Sequence, residues 1–430
     1  MFRASHLALP ALMAMALAAP ALAAPADPQT RRIEAIVASA PFKAAVAVLD
    51  RDHERTVADT IALTEIPAPP FKERARAEAY MAMLKAHGLS DVEMDAEGNV
   101  MGLRRGTGPA GQPLVVLAAH LDTVFPEGTD VKVRREGTKL HAPGVADDTH
   151  SLAVLLAYVR ALDEAKIRTR RDILIVGNVG EEGPGDLRGV RHLFTEGRYK
   201  DRIAAFFSMD GTDPSRVIYA AVGSRRYRVT FKGPGGHSYG AFGIVNPMGA
   251  MARAVVAFNE IEVPAQPRTT YAASVVGGGT SVNSIPDAIW LEVDMRSEGK
   301  EELAALDGRF QQIVADAAAA ENAARSTAAG GVTAELKLIG DRPTGATRAD
   351  AEIVQVTAAA VRAAGYAPVL AAASTDSNLP ISLGIPAVTI GSGGTAGRAH
   401  ALDEWLDVAK PESVRGQAVG LAAVLAMAGS

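Results

Sequence analysis

The sequence predicts an α/β protein in which a mostly parallel sheet is sandwiched by helices and interrupted by a smaller α+β unit. Apolar runs typical of buried strands alternate with helical segments near both ends of the 430-residue chain, which favours a parallel sheet. The middle third gives the order β-α-β-β-α-β instead, which is that of a ferredoxin-like fold. The length suits two or more domains.

The larger domain is predicted in two parts, residues 24–222 and 342–430. Its clearest strand is 113–119, a continuous apolar run of the kind that is buried on both faces of a sheet. Gly88 is expected to end a helix. The other predicted elements of this domain are helices 51–64, 71–87 and 151–162, strands 172–176 and 203–207, helix 351–364, strand 386–390 and helix 412–427.

Residues 223–341 are predicted to form the inserted unit, which is small enough to be a domain of its own. In order, its predicted elements are strand 227–231, helix 247–259, strands 269–276 and 288–294, helix 301–319 and strand 333–338.

The composition narrows the function classes. With 48% hydrophobic and 22% charged residues, the chain is an ordinary globular protein. A net charge of −5 without a long basic run argues against nucleic acid as a partner. The absence of cysteine excludes disulfides, thiol nucleophiles and thiolate metal sites. Any metal ion must therefore be held by histidines and carboxylates.

Residues 1–23 are predicted to be a cleaved signal peptide. Arg3 supplies a positive start, residues 7–19 form a short apolar run, and Ala21-Leu22-Ala23 is a small-x-small cleavage signal. The mature protein is therefore expected to be periplasmic or secreted. Because no later stretch reaches about 18 uncharged apolar residues, we expect no stable membrane anchor.

Ionisable residues follow the predicted strands of the larger domain. Since ligands bind beyond the carboxyl ends of strands in open α/β sheets, we expect these side chains to converge on one crevice. Histidines and carboxylates suit Zn, Mn or Co, and their number exceeds the needs of one tetrahedral ion, which favours two ions that share a carboxylate. These residues are His120, Asp122, Asp147, Asp148, Glu181, Glu182, Asp210 and His400.

Each of these motifs also has a simpler interpretation. A His-x-Asp pair is often a surface pair at a strand end, Glu181-Glu182 could be a solvated loop, and Asp148 could cap a helix. The run 391–396 fits the dinucleotide pattern G-x-G-x-x-A, but the strand before it is the last one and His400 follows too soon for the required helix. We interpret these glycines as a loop whose N–H groups approach a substrate carboxylate.

Taken together, four segments resemble the dizinc metallopeptidase family of peptidase T, carboxypeptidase G, aminoacylase, acetylornithine deacetylase and succinyl-diaminopimelate desuccinylase. The resemblance covers nearly the whole mature chain in the right order. It implies a zinc-exopeptidase-like catalytic domain with an inserted lid and dimerisation domain. The segments are Ala119–Val124, Gly144–Asp148, Gly180–Gly183 and Ala399–Trp405.

The resemblance also implies roles for the clustered residues. Two divalent ions, with zinc favoured and manganese or cobalt as alternatives, would share Asp147. Glu181 would act as general base and acid, Asp122 would hold the imidazole of His120, and the peptide bond after Asp147 would be cis. The implied ligands are His120, Asp147 and Asp210 for one ion, and Asp147, Glu182 and His400 for the other.

Candidate substrate-binding residues lie outside this cluster. His237 resembles a lid histidine that reaches the scissile carbonyl, often from the partner subunit, which implies a homodimer, although the sequence shows no obvious exposed dimer strand. Arg296 resembles an arginine that binds a substrate carboxylate, but an ordinary ion pair with Asp294 or Glu298 is the alternative. The remaining candidates are Asn283, Gly393 and Gly394.

The favoured function is an exopeptidase that acts on short peptides with a free amino terminus. It depends on Asp210, because members of the resembling family that act at a free amine tend to have Asp here, whereas deacylases and carboxypeptidases tend to have Glu. An N-acyl amino acid deacylase or a carboxypeptidase is therefore the alternative. A non-catalytic extracytoplasmic binding protein is a third possibility, but such a protein would not need Glu181.

Overall fold

The computed structural model describes residues 27–430, so the predicted signal peptide lies outside the described residues. The helices are α1 (Pro28–Ala38), α2 (Ala40–Arg51), α3 (His53–Thr64), α4 (Arg74–Ala86), α5 (His150–Glu164), α6 (Arg188–Thr195), α7 (Pro247–Asn259), α8 (Lys300–Ala324), α9 (Glu352–Ala363), α10 (Asn378–Ser382) and α11 (Lys410–Ala428). Within residues 27–430, none of these helices has the length and apolar character needed to cross a bilayer.

The strands fall into one large sheet and three smaller ones. They are β1 (Ser90–Met94), β2 (Val100–Arg104), β3 (Leu114–His120), β4 (Arg134–Glu136), β5 (Lys139–His141), β6 (Ile173–Asn178), β7 (Ile203–Met209), β8 (Arg216–Ala221), β9 (Gly223–Lys232), β10 (Gly236–His237), β11 (Thr269–Gly278), β12 (Ser284–Ile285), β13 (Ala288–Ser297), β14 (Thr333–Arg342), β15 (Gly345–Ala346), β16 (Val369–Ala373), β17 (Ala387–Ile390), β18 (Thr395–Gly397) and β19 (Trp405–Asp407).

The large sheet has the order β1-β2-β6-β3-β7-β17-β8-β15, and β16 also pairs with β8. Its centre, β6-β3-β7-β17, is parallel, which confirms the predicted α/β fold class. The sheet is antiparallel towards its edges, where β2 pairs with β6 and β8 pairs with β17. The strands β1, β2 and β8 were not among the predicted elements.

Strand β3 explains why the sheet has two covered faces. All of its residues are buried, and successive side chains of a strand point to opposite faces. Val115, Leu117 and Ala119 join the core formed with α5 and α11. Leu114, Val116 and Ala118 join a second core formed with α6. The continuous apolar run therefore places β3 between two helical layers.

The helices before β3 differ from the prediction. The helix expected at 51–64 is found as α3 (His53–Thr64), whereas the helices α1 and α2 before it were not among the predicted elements. The helix expected from Phe71 begins instead at Arg74. Phe71 has a left-handed φ of 66° and its N–H donates to Glu73, so the chain turns before the helix starts.

The inserted unit has the predicted order of elements, β9-α7-β11-β13-α8-β14. Its sheet is antiparallel with the order β11-β13-β9-β14, which is the strand arrangement of a ferredoxin-like fold. Phe258 of α7 and Phe310 of α8 pack edge to face, with ring centroids 4.9 Å apart. These rings belong to a core that is separate from those of the large sheet.

Candidate metal centre

The carboxyl ends of the parallel strands bring the predicted ligands together. His120 ends β3 and lies in register with Asn178, the last residue of β6. Glu181 follows β6 by three residues. Asp210 follows β7, and its N–H donates to the carbonyl of Ile390 at 3.0 Å. The expected convergence of these side chains at one edge of the sheet is therefore confirmed.

Asp147 reaches the same edge from the turn that precedes α5. The carboxylate of Glu404 holds this turn, since it accepts N–H groups from Gly144 at 2.9 Å, Ala146 at 2.8 Å and Asp147 at 3.0 Å. Burial raises the pKa of Glu404 to about 7. Because Glu404 lies between β18 and β19, it joins the turn of Asp147 to the segment that carries His400.

The two oxygens of Asp147 face two different imidazoles. Its Oδ1 lies 3.0 Å from Nε2 of His120, and its Oδ2 lies 3.1 Å from Nε2 of His400. His400 also lies 2.9 Å from Oε1 of Glu182. The Asp147 carboxylate thus lies between His120 on one side and His400 with Glu182 on the other, which is the arrangement expected of a carboxylate shared by two ions. The peptide bond between Asp147 and Asp148 is cis, as expected.

Asp148 also faces the cluster, although it was not among the predicted ligands. Its Oδ2 accepts the N–H of His120 at 3.0 Å, and its Oδ1 has no hydrogen-bond partner within the described residues. Ligand atoms of His120, Asp148 and Asp210 lie within 4.8 Å of one another, as do those of His120, Asp147 and Glu182. The helix-capping interpretation does not describe Asp148, because Thr149 occupies the N-cap of α5.

The electrostatics of these residues fit a pair of divalent cations. Burial raises the pKa of Asp210 to about 7, and the nearby Asp147 carboxylate adds to this shift. Desolvation acts on the half-buried Asp147 in the same direction, but hydrogen bonds from His120 and His400 lower its pKa. Clustered buried carboxylates repel one another unless a cation balances them. The donor atoms are imidazole nitrogen and carboxylate oxygen, which suit Zn, Mn or Co.

Asp122 orients the site by a different contact from the predicted one. Nδ1 of His120 lies 3.0 Å from the backbone carbonyl of Asp122 but 3.8 Å from its carboxylate. The carboxylate instead accepts the N–H groups of Glu181 at 3.1 Å and Glu182 at 2.7 Å. The carbonyl thus fixes the tautomer of His120, and the side chain fixes the loop that carries both glutamates.

Glu181 lies beside the ligands and is only 5% exposed. Nη1 of Arg342 donates to its Oε1 at 3.0 Å, and Nη2 of Arg342 donates to its backbone carbonyl. Burial raises the pKa of Glu181 well above its ordinary value, although the Arg342 guanidinium opposes this shift. The arginine therefore holds both the carboxylate and the backbone of Glu181.

Arg342 is the last residue of β14, so this contact joins the inserted unit to the loop after β6. Two further contacts do the same. The N–H of Asp341 donates to Oδ1 of Asp186 at 2.8 Å, and Nη1 of Arg226, in β9, donates to the carbonyl of Gly183 at 3.2 Å. Both strands that connect the inserted unit to the large sheet therefore bind the loop of Glu181.

The structure does not bring the predicted substrate residues of the inserted unit to the metal ligands. Within residues 27–430, His237, Asn283 and Arg296 form no hydrogen bond or ion pair with the ligand cluster. Arg296 is bound to Asp294, with Nε 2.7 Å from Oδ2, which is the ordinary ion pair considered as the alternative.

His237 lies on the short exposed strand β10, which pairs with β12, and its neutral ring has a defined tautomer. Its Nδ1 accepts the N–H groups of Tyr239 at 3.3 Å and Gly240 at 3.2 Å. The carbonyl of Asn283 accepts the N–H of Ser238 at 2.8 Å and so joins the two loops. Because Nδ1 of His237 is an acceptor, the neutral ring carries its proton on Nε2, which is free to donate.

The contact of Gly393 and Gly394 with a substrate stays a prediction. Both residues are buried, and the N–H of Gly393 already donates to the carbonyl of Thr212 at 3.0 Å. A Cβ on Gly393 would lie 2.6 Å from the carbonyl oxygen of Ser413, in α11. The absence of a side chain at Gly393 thus allows the loop to pack against α11. The short strand β18 follows, so rejecting the dinucleotide pattern was correct.

Two residues of the site were missed by sequence reasoning. Arg342 lies four residues beyond the predicted strand 333–338, at the boundary between the predicted domains, and nothing in the sequence relates it to Glu181. Glu404 carried a signal, since it belongs to the same short segment as His400 and is a carboxylate before an apolar strand. Its burial could not be read from the sequence.

Comparisons with known proteins agree with this geometry. The sequence model of Peptidase family M20/M25/M40 matches residues 116–426. Carboxypeptidase G2 of Pseudomonas sp. (strain RS-16) is 27% identical over 221 residues, which span 50% of this chain and 52% of that protein. The match therefore spans about half the length of this relative.

Solved structures extend the likeness to most of the chain. An aminopeptidase, PepT, of Bacillus cereus ATCC 10987 has a TM-score of 0.68 at 20% identity and covers 87% of this chain and 98% of its own. A Bacillus subtilis protein described as a dinuclear metal binding peptidase from the M20 family has a TM-score of 0.63 at 17% identity, covering 87% of this chain and 98% of its own. At these identities, the likeness establishes a shared fold.

Proposed function

The chain belongs to Peptidase family M20/M25/M40 and is a metallopeptidase, and we propose that it is an exopeptidase for short peptides with a free amino terminus. We further propose that it uses two divalent ions, with zinc favoured. The observation that carries the proposal is the position of Asp147, whose two oxygens face His120 at 3.0 Å and His400 at 3.1 Å.

The ligands would divide between the two ions as follows. Asp147 would bridge them, Glu182 and His400 would complete one site, and His120 and Asp210 the other. The buried Asp148 carboxyl adjoins His120 and Asp210, and burial raises its pKa well above its ordinary value. When bound, the ions would polarise the scissile carbonyl and lower the pKa of water.

Glu181 supplies the proton transfer in this proposal. It is buried beside the ligands, so its carboxylate can take a proton from the attacking water and deliver it to the leaving amine. Arg342 fixes the direction of that carboxylate through the hydrogen bond of 3.0 Å to Oε1. Asp122 fixes the same loop through the N–H groups of Glu181 and Glu182.

His237 would act as a donor to the tetrahedral oxyanion, from a second copy of the chain. Its Nε2–H is free, and the side chains around it are apolar and exposed: Tyr239 is 90%, Phe242 is 85% and Val282 is 103% exposed. Such a surface favours burial in an interface. The edge strand β11 also exposes Val276, by 61%, so an edge for pairing is available that the sequence did not reveal.

Two observations support the proposed preference for substrates with a free amino terminus: the residue Asp210 and one of the structural relatives. Asp210 has the shorter carboxylate at its ligand position, which leaves more room beside it for the substrate amine. The Bacillus cereus relative is an aminopeptidase. Carboxypeptidase G2 favours the alternative, a carboxypeptidase or a deacylase, which would not require the free amine.

A paired substrate comparison tests the proposal. Purified protein, loaded with Zn, Mn or Co, is given an Ala- or Gly-containing dipeptide or tripeptide and the N-acetylated form of the same peptide. We expect the free peptide to be cleaved with the higher kcat/KM. A higher kcat/KM for the acetylated form at the same bond would replace the exopeptidase proposal with the deacylase or carboxypeptidase alternative.

The extracytoplasmic location stays a prediction from residues 1–23. It is consistent with degradation of short peptides outside the cytosol. Cell fractionation with an antibody to the mature chain tests it, because a product found only in the cytosol and still carrying residues 1–23 would contradict the signal peptide.

A further inference from the structure

We propose that Arg216 selects substrates that carry a carboxylate on the acyl side of the scissile bond. For the exopeptidase proposed above, on which this inference rests, these are peptides with Glu or Asp at the amino terminus. Arg216 was not among the candidate residues found from the sequence, and the contacts described for the metal ligands do not involve it.

A cavity of about 430 Å³ adjoins the metal ligands. Asp147 and Asp210 line one part of it, and Arg216 and Ile218 of β8 line another. A volume of this size accommodates a small side chain next to a reacting group, since ligand pockets begin at about 300 Å³. The cavity is formed by the large sheet and the loops at its edge. Residues of the inserted unit do not line it.

The backbone of Arg216 is held on both sides. It lies opposite Val369 of β16, and its neighbour Val217 lies opposite Ile390 of β17. Val217 is fully buried in the core with the helices, so the alternation of a strand directs Arg216 and Ile218 to the other face, where the cavity is. The two paired strands thus place the backbone of Arg216 at the edge of the cavity, where its side chain is exposed.

Arg216 is also free to bind an anion. Within residues 27–430, it forms no ion pair and no side-chain hydrogen bond. The second arginine of the cavity, Arg398, is bound to Asp403 at 3.0 Å. Asp213, the nearest acidic residue in sequence, accepts instead the N–H of Ser215 at 2.9 Å and its hydroxyl at 2.7 Å.

A guanidinium without a partner in a substrate cavity matches the geometry of a carboxylate, which it binds through two parallel hydrogen bonds. Asp147 and Asp210, two of the residues that would hold the cations, also line the cavity, so a bound carboxylate would lie near positive charge once the metals are present. A neutral amide of the same shape would lose the charge-assisted contact. The enzyme should therefore discriminate Glu from Gln.

The test compares three substrates that differ at one group. Glu-Ala and Gln-Ala differ only in the side-chain charge, and glutaryl-Ala keeps the carboxylate but lacks the α-amine. In the metal-loaded wild type, we expect kcat/KM for Glu-Ala to exceed that for Gln-Ala at least about tenfold. In Arg216→Gln, this ratio should fall to about one, mainly through KM. Arg398→Gln is the matched control and should keep the wild-type ratio.

The outcomes separate this inference from the proposed function. Equal kcat/KM for Glu-Ala and Gln-Ala in the wild type overturns the role of Arg216 and leaves the exopeptidase intact. Arg216-dependent cleavage of glutaryl-Ala without cleavage of Glu-Ala supports Arg216 and overturns the free amine. Calorimetric binding of free glutamate and glutamine provides a readout without turnover: Arg216→Gln should weaken glutamate binding at least about tenfold, and unchanged binding of glutamate would overturn the inference.

Discussion

The Glu181 carboxylate can be separated from metal binding by mutation. It contacts Arg342 and not the imidazoles, so Glu181→Gln should retain both metal ions while kcat falls at least about 100-fold. Asp147→Asn is the control, and it should lose metal as well as activity, because both histidine contacts involve its carboxylate. Metal content by mass spectrometry and steady-state kinetics measure the two effects. Full activity of Glu181→Gln would contradict the mechanism.

Arg342 is a positioning residue, and its effect should pass through Glu181. Arg342→Gln removes the donors to the Glu181 carboxylate and backbone, so kcat should fall about 10-fold to 100-fold with metal retained. In a Glu181→Gln background, the same change should have little further effect, since two residues that act as a unit are not additive. Independent, multiplicative losses in the double-mutant cycle would show that Arg342 acts elsewhere.

The sequence predicted which residues of the site lie together, but not which atoms they contact. His120, Asp147, Glu182 and His400 follow strands or turns that the sequence places at one edge of the sheet, so their convergence was predictable. Their hydrogen-bond partners were not. Whether the carbonyl or the carboxylate of Asp122 reaches an imidazole is a matter of less than 1 Å, since the distances are 3.0 Å and 3.8 Å, and no residue pattern specifies it.

At the scale of elements, Gly391 after β17 packs closely against the turn before β8, and both line the cavity. A Cβ on Gly391 would lie 2.4 Å from the carbonyl oxygen of Asp213, in the turn before β8. Gly391→Ala should therefore push this turn away from β17 and lower the free energy of unfolding by more than about 1 kcal/mol. Thermal unfolding by calorimetry measures the change.

Gly308 provides the matched glycine substitution. It is exposed within α8, and a Cβ there would meet no atom within 4 Å. Gly308→Ala should stabilise the protein by about 0.5–1 kcal/mol, because alanine loses less backbone entropy than glycine in a helix. If both variants were stabilised, the contact at Gly391 would not be a constraint.

The elements themselves were predicted where a regular period met a clear boundary. The helix expected at 247–259 is found as α7 (Pro247–Asn259), where Asn246 accepts the N–H of Met248 and Pro247 starts the helix. The helix expected at 51–64 is found as α3 (His53–Thr64), which begins two residues later than predicted. The strand β8 was missed; its partners β16 and β17, with which it pairs parallel and antiparallel respectively, are distant in sequence.

At the scale of the whole molecule, the metal ions should contribute to folding stability. In metal-free protein, the raised pKa of Asp210, about 7, means that the folded state keeps a proton which the unfolded state has lost. Stability should therefore fall as pH rises from about 4 to about 7. Metal binding removes this penalty, and saturation at 100 times Kd adds about 2.7 kcal/mol.

The gain in Tm on loading with zinc or manganese should consequently be larger at pH 8 than at pH 5.5. Differential scanning calorimetry of chelated and reloaded protein measures it, with Asp210→Asn as the control. That variant should show a smaller gain and a weaker dependence of the gain on pH. An equal Tm with and without metal would contradict the assignment of the cluster as a metal centre.

The proposed homodimer makes a prediction about mixed subunits. His237→Ala and Glu181→Gln should each be nearly inactive. If His237 acts in the partner's site, each heterodimer contains one intact site and should have about half of the wild-type activity. An equal mixture, in which about half of the dimers are heterodimers, should regain about a quarter of the wild-type activity. The exposed Tyr239 and Phe242 beside His237 favour this arrangement. No recovery after verified subunit exchange would indicate a site that is complete within one chain.

The contacts of Asp341, Arg342 and Arg226 with the loop of Glu181 limit how freely the inserted unit can be exchanged. Domain grafting assumes that such a unit can be replaced to change the substrate preference without any effect on the catalytic residues. In this protein, the end of the inserted unit includes Arg342, which positions the carboxylate of Glu181. A chimaera that replaces residues 223–342 with those of a relative would keep its turnover only if the donor sequence brings an equivalent of Arg342 with it, and evolution of new specificity by recombination in this protein is subject to the same condition.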